Sequence, residues 1–292
     1  ALLMALAWGG VAACGFSALV NTSVGAMIGG SLGDVVSTVI SAPLVEEASK
    51  GILLLGYFYF LRREFDGVVD GIIYASFVAI GFAAVENVIY YAQAGLDGGV
   101  IVTFIIRGVL SPWGHPLYTA MTGIGVGVAR ETSKPWLRFA APVAGYCAAV
   151  TLHATWNGAA VLAGALGVAG VLLLLLMLLL WFAFFVAFVV IVVVLVRRRG
   201  KIIRAHLIDE VALGHLSQAE LELVVSLFGG VRAYFRRGKM GVEFVRAVAR
   251  LALSKWHSAR AMKEVKHTMS MDFVLPLRRK IKDLRAQGAS PA

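Results

Sequence analysis

The chain has little of what builds a disulfide or cysteine-zinc scaffold. Its 292 residues contain two cysteines, Cys14 and Cys147, both in apolar stretches where a free thiol behaves as a small hydrophobe. They exclude a disulfide framework and do not report a compartment. There is no HExxH pair to fix two histidines on one helix, no internal repeat, and no motif behind nucleic acid binding. Lysine and arginine are absent from the stretches near 21–33, 93–99 and 164–169. No small-residue cleavage site follows the first apolar run, so Leu2 to Val20 reads as a span rather than a cleaved signal. The chain opens at Ala1 without an initiator methionine, and the expectation is that its natural start lies further upstream.

What fills the chain is apolar. Hydrophobic residues make up 59% and mean hydropathy is +0.82, too hydrophobic for a soluble domain of this length. A helix needs about 20 apolar residues to cross a bilayer. Six segments qualify: 2–20, 34–61, 67–92, 100–129, 139–163 and 170–196. The expected fold is therefore all-α, a polytopic membrane helical bundle of about six spans. Only the last, from Val171 to Val196, is apolar on every side. Gly67 and Gly71, with Gly123, Gly125 and Gly127, are placed to let helices approach closely.

Charge divides the chain in two. The surplus of +10 lies entirely beyond residue 196, where 20 Lys and Arg face 8 Asp and Glu. Arg62 and Arg63, then Arg130, Lys134 and Arg138, then Arg197 to Arg199 and Lys201, fall on one side of an alternating six-helix path. Positive-inside places both termini in the cytoplasm. The expected domains are a transmembrane unit, 1–196, and a basic, helical cytoplasmic tail, 197–292. In the tail, Ser217-x-x-Glu220 reads as a capping box, and Val242 to Trp256 has apolar residues at helical spacing. Its charge can attract anionic headgroups of the lipid bilayer, or can simply line solvated helix faces.

Against this background Glu46, Glu47, Glu86, His115 and His153 stand out. A charge at bilayer depth costs about 3 kcal/mol on insertion scales and persists where it faces a partner, a cavity or a reaction. Counted from the outer helix ends at about 1.5 Å per residue, they lie roughly 9 to 22 Å deep, close enough to converge. Lys50 is three residues from Glu47 and four from Glu46, so it can neutralise one carboxylate and leave the other free. Glu86 can act in the site or pair with Arg107. Ser111-Pro112-Trp113-Gly114-His115-Pro116 interrupts the fourth span, a break tolerated where it lines a cavity or is buried in protein. His153 and Asn157 share a face of the fifth span.

Two hydrolytic chemistries suit this set. Histidines and a carboxylate can hold a catalytic zinc, with a glutamate taking a proton from the attacking water. Alternatively a glutamate activates water unaided, while His and Asn donate to the oxyanion. The competing class is a proton- or ion-coupled transporter or channel, since buried Glu and His chains also form proton relays.

The residues resemble the PrsW family of intramembrane proteases. The resemblance rests on Glu46-Glu47-x-x-Lys50, Asp70-Gly71, Gly81-Phe82-x-x-x-Glu86-Asn87-x-x-Tyr90, Arg107 with His115 and Thr119, and His153-x-x-Trp156-Asn157, within residues 34–163. The family is similar in turn to CAAX prenyl endopeptidases and bacterial self-immunity proteins, in which a histidine stands where this chain has Glu86. The resemblance implies an endopeptidase acting on a single-span membrane protein, making the first cut in a membrane-anchored anti-sigma factor on the extracytoplasmic side. On that reading Glu46 or Glu47 is the base, tuned by Lys50. Glu86, His115 and His153 hold a Zn2+ ion or position water, Asn157 donates to the oxyanion, and Arg107 holds Glu86 or the substrate backbone.

Overall fold

The computed structural model describes residues 1–61, 65–96, 98–263 and 272–290; the Arg62–Arg63 pair used to orient the chain lies outside them. Among the described residues every regular element is helical. The chain divides into two compact units, Ala1–Val190 and Ile191–Ala292.

In the first unit, α1 (Leu2–Ile28) turns at Gly29 and Gly30 into α2 (Gly30–Val36). Both glycines have positive φ, 73° and 58°, a conformation that costs glycine nothing. The polar and glycine-rich stretch 21–33, expected as a loop, is thus helix on either side of a two-residue turn. Ala26, Met27 and Ile28 extend the first apolar run past the asparagine, threonine and serine that seemed to end it. From α2 the chain passes through a π-helical segment, Ser37–Ser41, into α3 (Ala42–Phe60).

Next come α4 (Val68–Leu96), α5 (Val100–Phe104) and a third π-helical segment, Ile105–Leu110, after Trp8–Ala13 within α1 and Ser37–Ser41. The expected interruption follows at Ser111–Trp113, where the Ser111 hydroxyl donates to the Ile106 carbonyl at 2.6 Å. Beyond it run α6 (Gly114–Glu131), α7 (Pro135–Ala165) and α8 (Val168–Ala212). Among the described residues, four helical stretches are long and apolar enough to cross a membrane: Leu2–Ile28, Val68–Leu96, Val100–Glu131 and Val168–Ala212. This is a multi-pass membrane protein. The α3 helix carries Glu46, Glu47 and Lys50 within 19 residues, which keeps it below that apolar threshold.

Close helix contact positions the site. A Cβ on Gly71 of α4 would sit 2.1 Å from the Gly123 carbonyl oxygen of α6, and one on Gly123 would sit 2.3 Å from that of Gly71. Two backbones therefore meet where any side chain would separate them, as small residues permit in lipid. The α1 helix is pinned to α3: the Trp8 indole donates to the Ser49 carbonyl at 2.9 Å, and the Ser17 and Ser49 hydroxyls are 3.0 Å apart. Leu54, Tyr57, Phe65, Ala75, Val78 and Val126 fill the core between α3, α4 and α6. On α8, Leu172, Leu176, Leu179 and Phe182 point outward, as for a helix facing lipid.

The second unit has its own core, with Leu207, Leu221, Phe244, Val248, Leu251 and Ile281 packed together. It contains α9 (Gln218–Val225), α10 (Gly229–Lys263, broken at Gly238 with φ 60°) and α11 (Val274–Ala286). The Ser217–Glu220 capping box is formed in both directions. Glu220 is buried and also accepts from the Arg285 guanidinium and, at 2.7 Å, from Ser290. Burial alone would raise its pKa, but Arg285, the Ser217 amide and Ser290 outweigh this and hold it below its ordinary 4.5. A depressed carboxylate stabilises the fold above its unfolded pKa and loses that contribution as pH falls through the folded one. Acidification from about pH 5 should therefore loosen this unit, followed as proteolytic sensitivity of residues 191–292 in the full chain. Glu220→Gln should flatten that pH dependence.

Candidate active site

The expected residues converge. On α3, Glu47 is fully buried and accepts on one oxygen from Lys50 Nζ at 2.9 Å, with His153 Nδ1 3.2 Å from the same atom. Its other oxygen accepts from the Thr119 hydroxyl at 2.8 Å. Lys50, also fully buried, lies 3.5 Å from Glu46 Oε2 and 3.1 Å from His115 Nδ1, with its ammonium 3.8 Å above the Phe82 ring. One cation is thus shared among two carboxylates, an imidazole and an aromatic face.

Glu46 is held differently. Its Oε1 takes a long contact of 3.5 Å from Asn21 Nδ2, and Asn21 is itself set by the Ser41 hydroxyl donating to Oδ1 at 2.8 Å. Glu46 Oε2 is buried without a hydrogen bond, and His153 Nε2 lies 3.9 Å from it. With the Lys50 ammonium 3.5 Å away and no hydrogen bond, this buried carboxylate oxygen keeps capacity for a ligand, water or ion.

Glu86, expected to join the two histidines as a metal ligand, pairs with the Arg107 guanidinium and lies 2.9 Å from His115 Nε2. Arg107 also donates to Asn87 at 2.8 Å and lies over the Tyr90 ring. The carboxylate grouped with both histidines is Glu46: one ligand atom each from Glu46, His115 and His153 lie within 4.8 Å of one another. The His115 and His153 rings stand 5.1 Å apart and nearly perpendicular. Tyr118 stacks on His153 at 5.1 Å and accepts from the Trp181 indole at 3.0 Å, fixing the imidazole's plane. Asn157 donates to the Thr38 carbonyl at 2.9 Å, so it ties α7 to the π-helical segment while lining the site.

These groups enclose a cavity of about 50 Å³ lined by Glu46, Glu86, Arg107, His115, His153 and Asn157, among others. That exceeds the roughly 10–15 Å³ a single water requires. Asn21, Tyr118 and Trp181 were not singled out in the sequence. An asparagine at an apparent loop and aromatics in apolar spans carry no signal of their own.

The family model described as "PrsW family intramembrane metalloprotease" matches residues 1–199. The chain belongs to that family. Among curated relatives, the protein named Protease PrsW of Geobacillus kaustophilus is 32% identical over 108 residues, which are 35% of this chain and 45% of that protein. Its namesake in Oceanobacillus iheyensis is 32% identical over 87 residues, 30% of this chain and 38% of the relative. The Bacillus subtilis protein of that name is 31% identical over 91 residues, 31% and 39%. The chain thus spans less than half the length of these PrsW relatives. No solved structure matches.

Proposed function

We propose that this chain is an intramembrane endopeptidase that hydrolyses a peptide bond in or beside the transmembrane segment of a single-span membrane protein. The observation that carries the reading is the open, buried Oε2 of Glu46 facing a water-sized polar cavity. Membership of a family described as intramembrane proteases supports it.

In this reading Glu46 takes a proton from a water in the cavity as that water's oxygen bonds to the scissile carbonyl carbon. The oxyanion so formed is met by the Asn157 amide as donor, and the proton passes from Glu46 to the amide nitrogen as the C–N bond breaks. Glu47 holds His153 and Lys50 in place, and Arg107 holds Glu86. Asn157 is assigned to the oxyanion side of the cavity once its bond to Thr38 is exchanged. The fully engaged Glu47 leaves Glu46 as the base of the pair.

The residues also fit a metal. An unpartnered carboxylate oxygen and two imidazoles within 4.8 Å match the neutral-histidine and carboxylate set that zinc prefers. Glu46, His115 and His153 would hold a Zn2+ ion, His115 releasing one of its present partners. The ion would supply a Lewis acid and lower the pKa of a bound water to about 7. With zinc so held, Glu46 would be a ligand rather than the base, purified protein would contain about one zinc per chain, reduced in His153→Ala, and chelation would abolish cleavage. Unchanged activity after verified metal removal leaves the glutamate to act alone.

The substrate class proposed is the membrane-anchored anti-sigma factor, cut first on the extracytoplasmic side. Co-expression with a panel of such proteins and unrelated single-span proteins tests this; cleavage of none by the parent chain overturns the hydrolytic reading. The proposed topology has six spans in the bacterial cell membrane, residues 1–196 forming the protease domain and the basic region 197–292 in the cytoplasm. A phosphatase fusion after Ala292 should be inactive and a fluorescent one bright; the reverse pattern would place that end outside.

A further inference from the structure

A second cavity, of about 600 Å³, opens beside the first. It lies along one face of α1, where Cys14, Ala18, Asn21, Gly25 and Gly29 recur at three- and four-residue spacing; Asp34, Ser37 and Thr38 border it beside α1, and Phe82, Glu86, Ile89, Tyr90 and Gln93 line it from α4. Its size is that of a ligand pocket, about 300–1,000 Å³. Glu46, Glu86 and Tyr90 line both cavities, so these three side chains form the wall between a water-sized chamber and a wide cleft. Glu46, more than nine-tenths buried, belongs to this wall, and its Oε2 accepts no hydrogen bond.

We propose that this cleft, between the packed pair α1 and α2 on one side and α4 on the other, receives the scissile segment of the substrate as unwound backbone lying along Ala18, Thr22 and Ala26. The proposal rests on the hydrolytic reading and names its docking surface. In an α-helix every interior carbonyl is hydrogen-bonded and shielded, so a peptide bond must leave the helix before water can reach it. Unwound backbone facing lipid is prohibitively penalised, and is tolerated only where protein or trapped water supplies partners. The cleft offers such partners in an otherwise apolar unit: Asn21, Thr22, Asp34, Ser37 and Thr38 all line it. Its α1 side carries Ala18, Gly25, Ala26 and Gly29, which leaves room for a second chain at backbone distance. The π-helical Ser37–Ser41 segment borders it beside α1, to which it is tied by the Ser37 hydroxyl donating to the Asn21 carbonyl at 2.9 Å, and Phe82, Ile89 and Gln93 of α4 form its other side. Such segments recur at functional sites because their widened turn re-aims side chains and backbone. A carbonyl carbon at the inner end of the cleft would meet water from the chamber across Glu46.

Photo-crosslinking tests the assignment. Single cysteines replace Thr22, Ala26 or, on the exposed face of α7, Val143, in a full-length chain carrying Cys14→Ala, Cys147→Ala and Glu46→Gln. Each carries a benzophenone and is co-expressed with the same panel of single-span proteins. Adducts from positions 22 and 26 should exceed those from 143 at least tenfold and map to the membrane segment of the captured protein. Equal adducts from 143, or none from 22 and 26, would overturn the cleft. In the otherwise native chain, Thr22→Trp and Ala26→Trp should lower kcat/KM at least tenfold through KM, with thermal unfolding unchanged; unaltered KM in both also overturns it. Adducts from 22 and 26 without cleavage by the parent chain would leave the cleft standing and remove the hydrolytic reading.

Discussion

Glu46→Gln is expected to leave a folded protein that cleaves its substrate about 10²- to 10⁴-fold more slowly, the usual contribution of a positioned general base. The substitution preserves shape and the contact to Asn21, which can turn its own amide to suit. It removes the carboxylate oxygen at the water-sized cavity, Oε2, which accepts no hydrogen bond and has only a long ion-pair contact to Lys50 at 3.5 Å. It does not strand Lys50, because that ammonium keeps its nearer partner, Glu47, at 2.9 Å, whereas Glu46 is at 3.5 Å. Loss of activity can therefore be separated from loss of fold by measuring kcat and thermal unfolding on the same preparation. A Glu46→Gln protein with kcat within threefold of the parent would remove Glu46 from the chemistry. It would return attention to Glu86, the other carboxylate lining the chamber.

The reagents of the site could be read from the sequence because carboxylates, a lysine and histidines are expensive in apolar helices and stand out there. Their division of labour could not. Glu46 and Glu47 are adjacent residues about 100° apart around one helix, and what each faces depends on helices many residues away. The π-helical segment just before them adds to the difficulty, since its widened turn shifts the azimuth of everything that follows and a 3.6-residue period does not register it. Thus Thr119, His153 and Lys50 take up Glu47, while Asn21 reaches Glu46 from a stretch that looked like a loop. The pairing of Glu86 with Arg107 was legible as one of two options. That Glu46 would group with both histidines, with Glu86 beside His115 alone, was not, because depth counting fixes level along the membrane normal and says nothing of sideways position. The helical fold itself was open to composition and span length, as were the close glycine contacts and the Ser217 capping box. The break at Gly238 needed coordinates, because a lone glycine in a basic amphipathic run is tolerated as often as it ends a helix.

Glu47→Leu is expected to be the most destabilising single change in the site, by about 3–5 kcal/mol, because it leaves the buried Lys50 ammonium without its closest counter-charge. Lys50 is fully buried, and what remains near it is Glu46 at 3.5 Å, an imidazole nitrogen at 3.1 Å and the Phe82 ring. The same substitution strips the hydroxyl of Thr119 and the Nδ1 side of His153 of an acceptor, adding unsatisfied polar groups to an unpaired charge. The double variant Glu47→Leu with Lys50→Met removes both ions, and apolar replacement of a buried pair is often neutral. It should recover most of the lost stability, read as the thermal unfolding midpoint in detergent. Activity should stay lost in both proteins, since neither keeps the carboxylate that orients His153. If the double variant unfolds as readily as Glu47→Leu alone, the stability of this region comes from the Glu47 contacts to Thr119 and His153, and the ion pair with Lys50 is incidental. Recovery of stability without activity separates the two functions of Glu47: neutralising a buried lysine, and setting the imidazole beside Glu46.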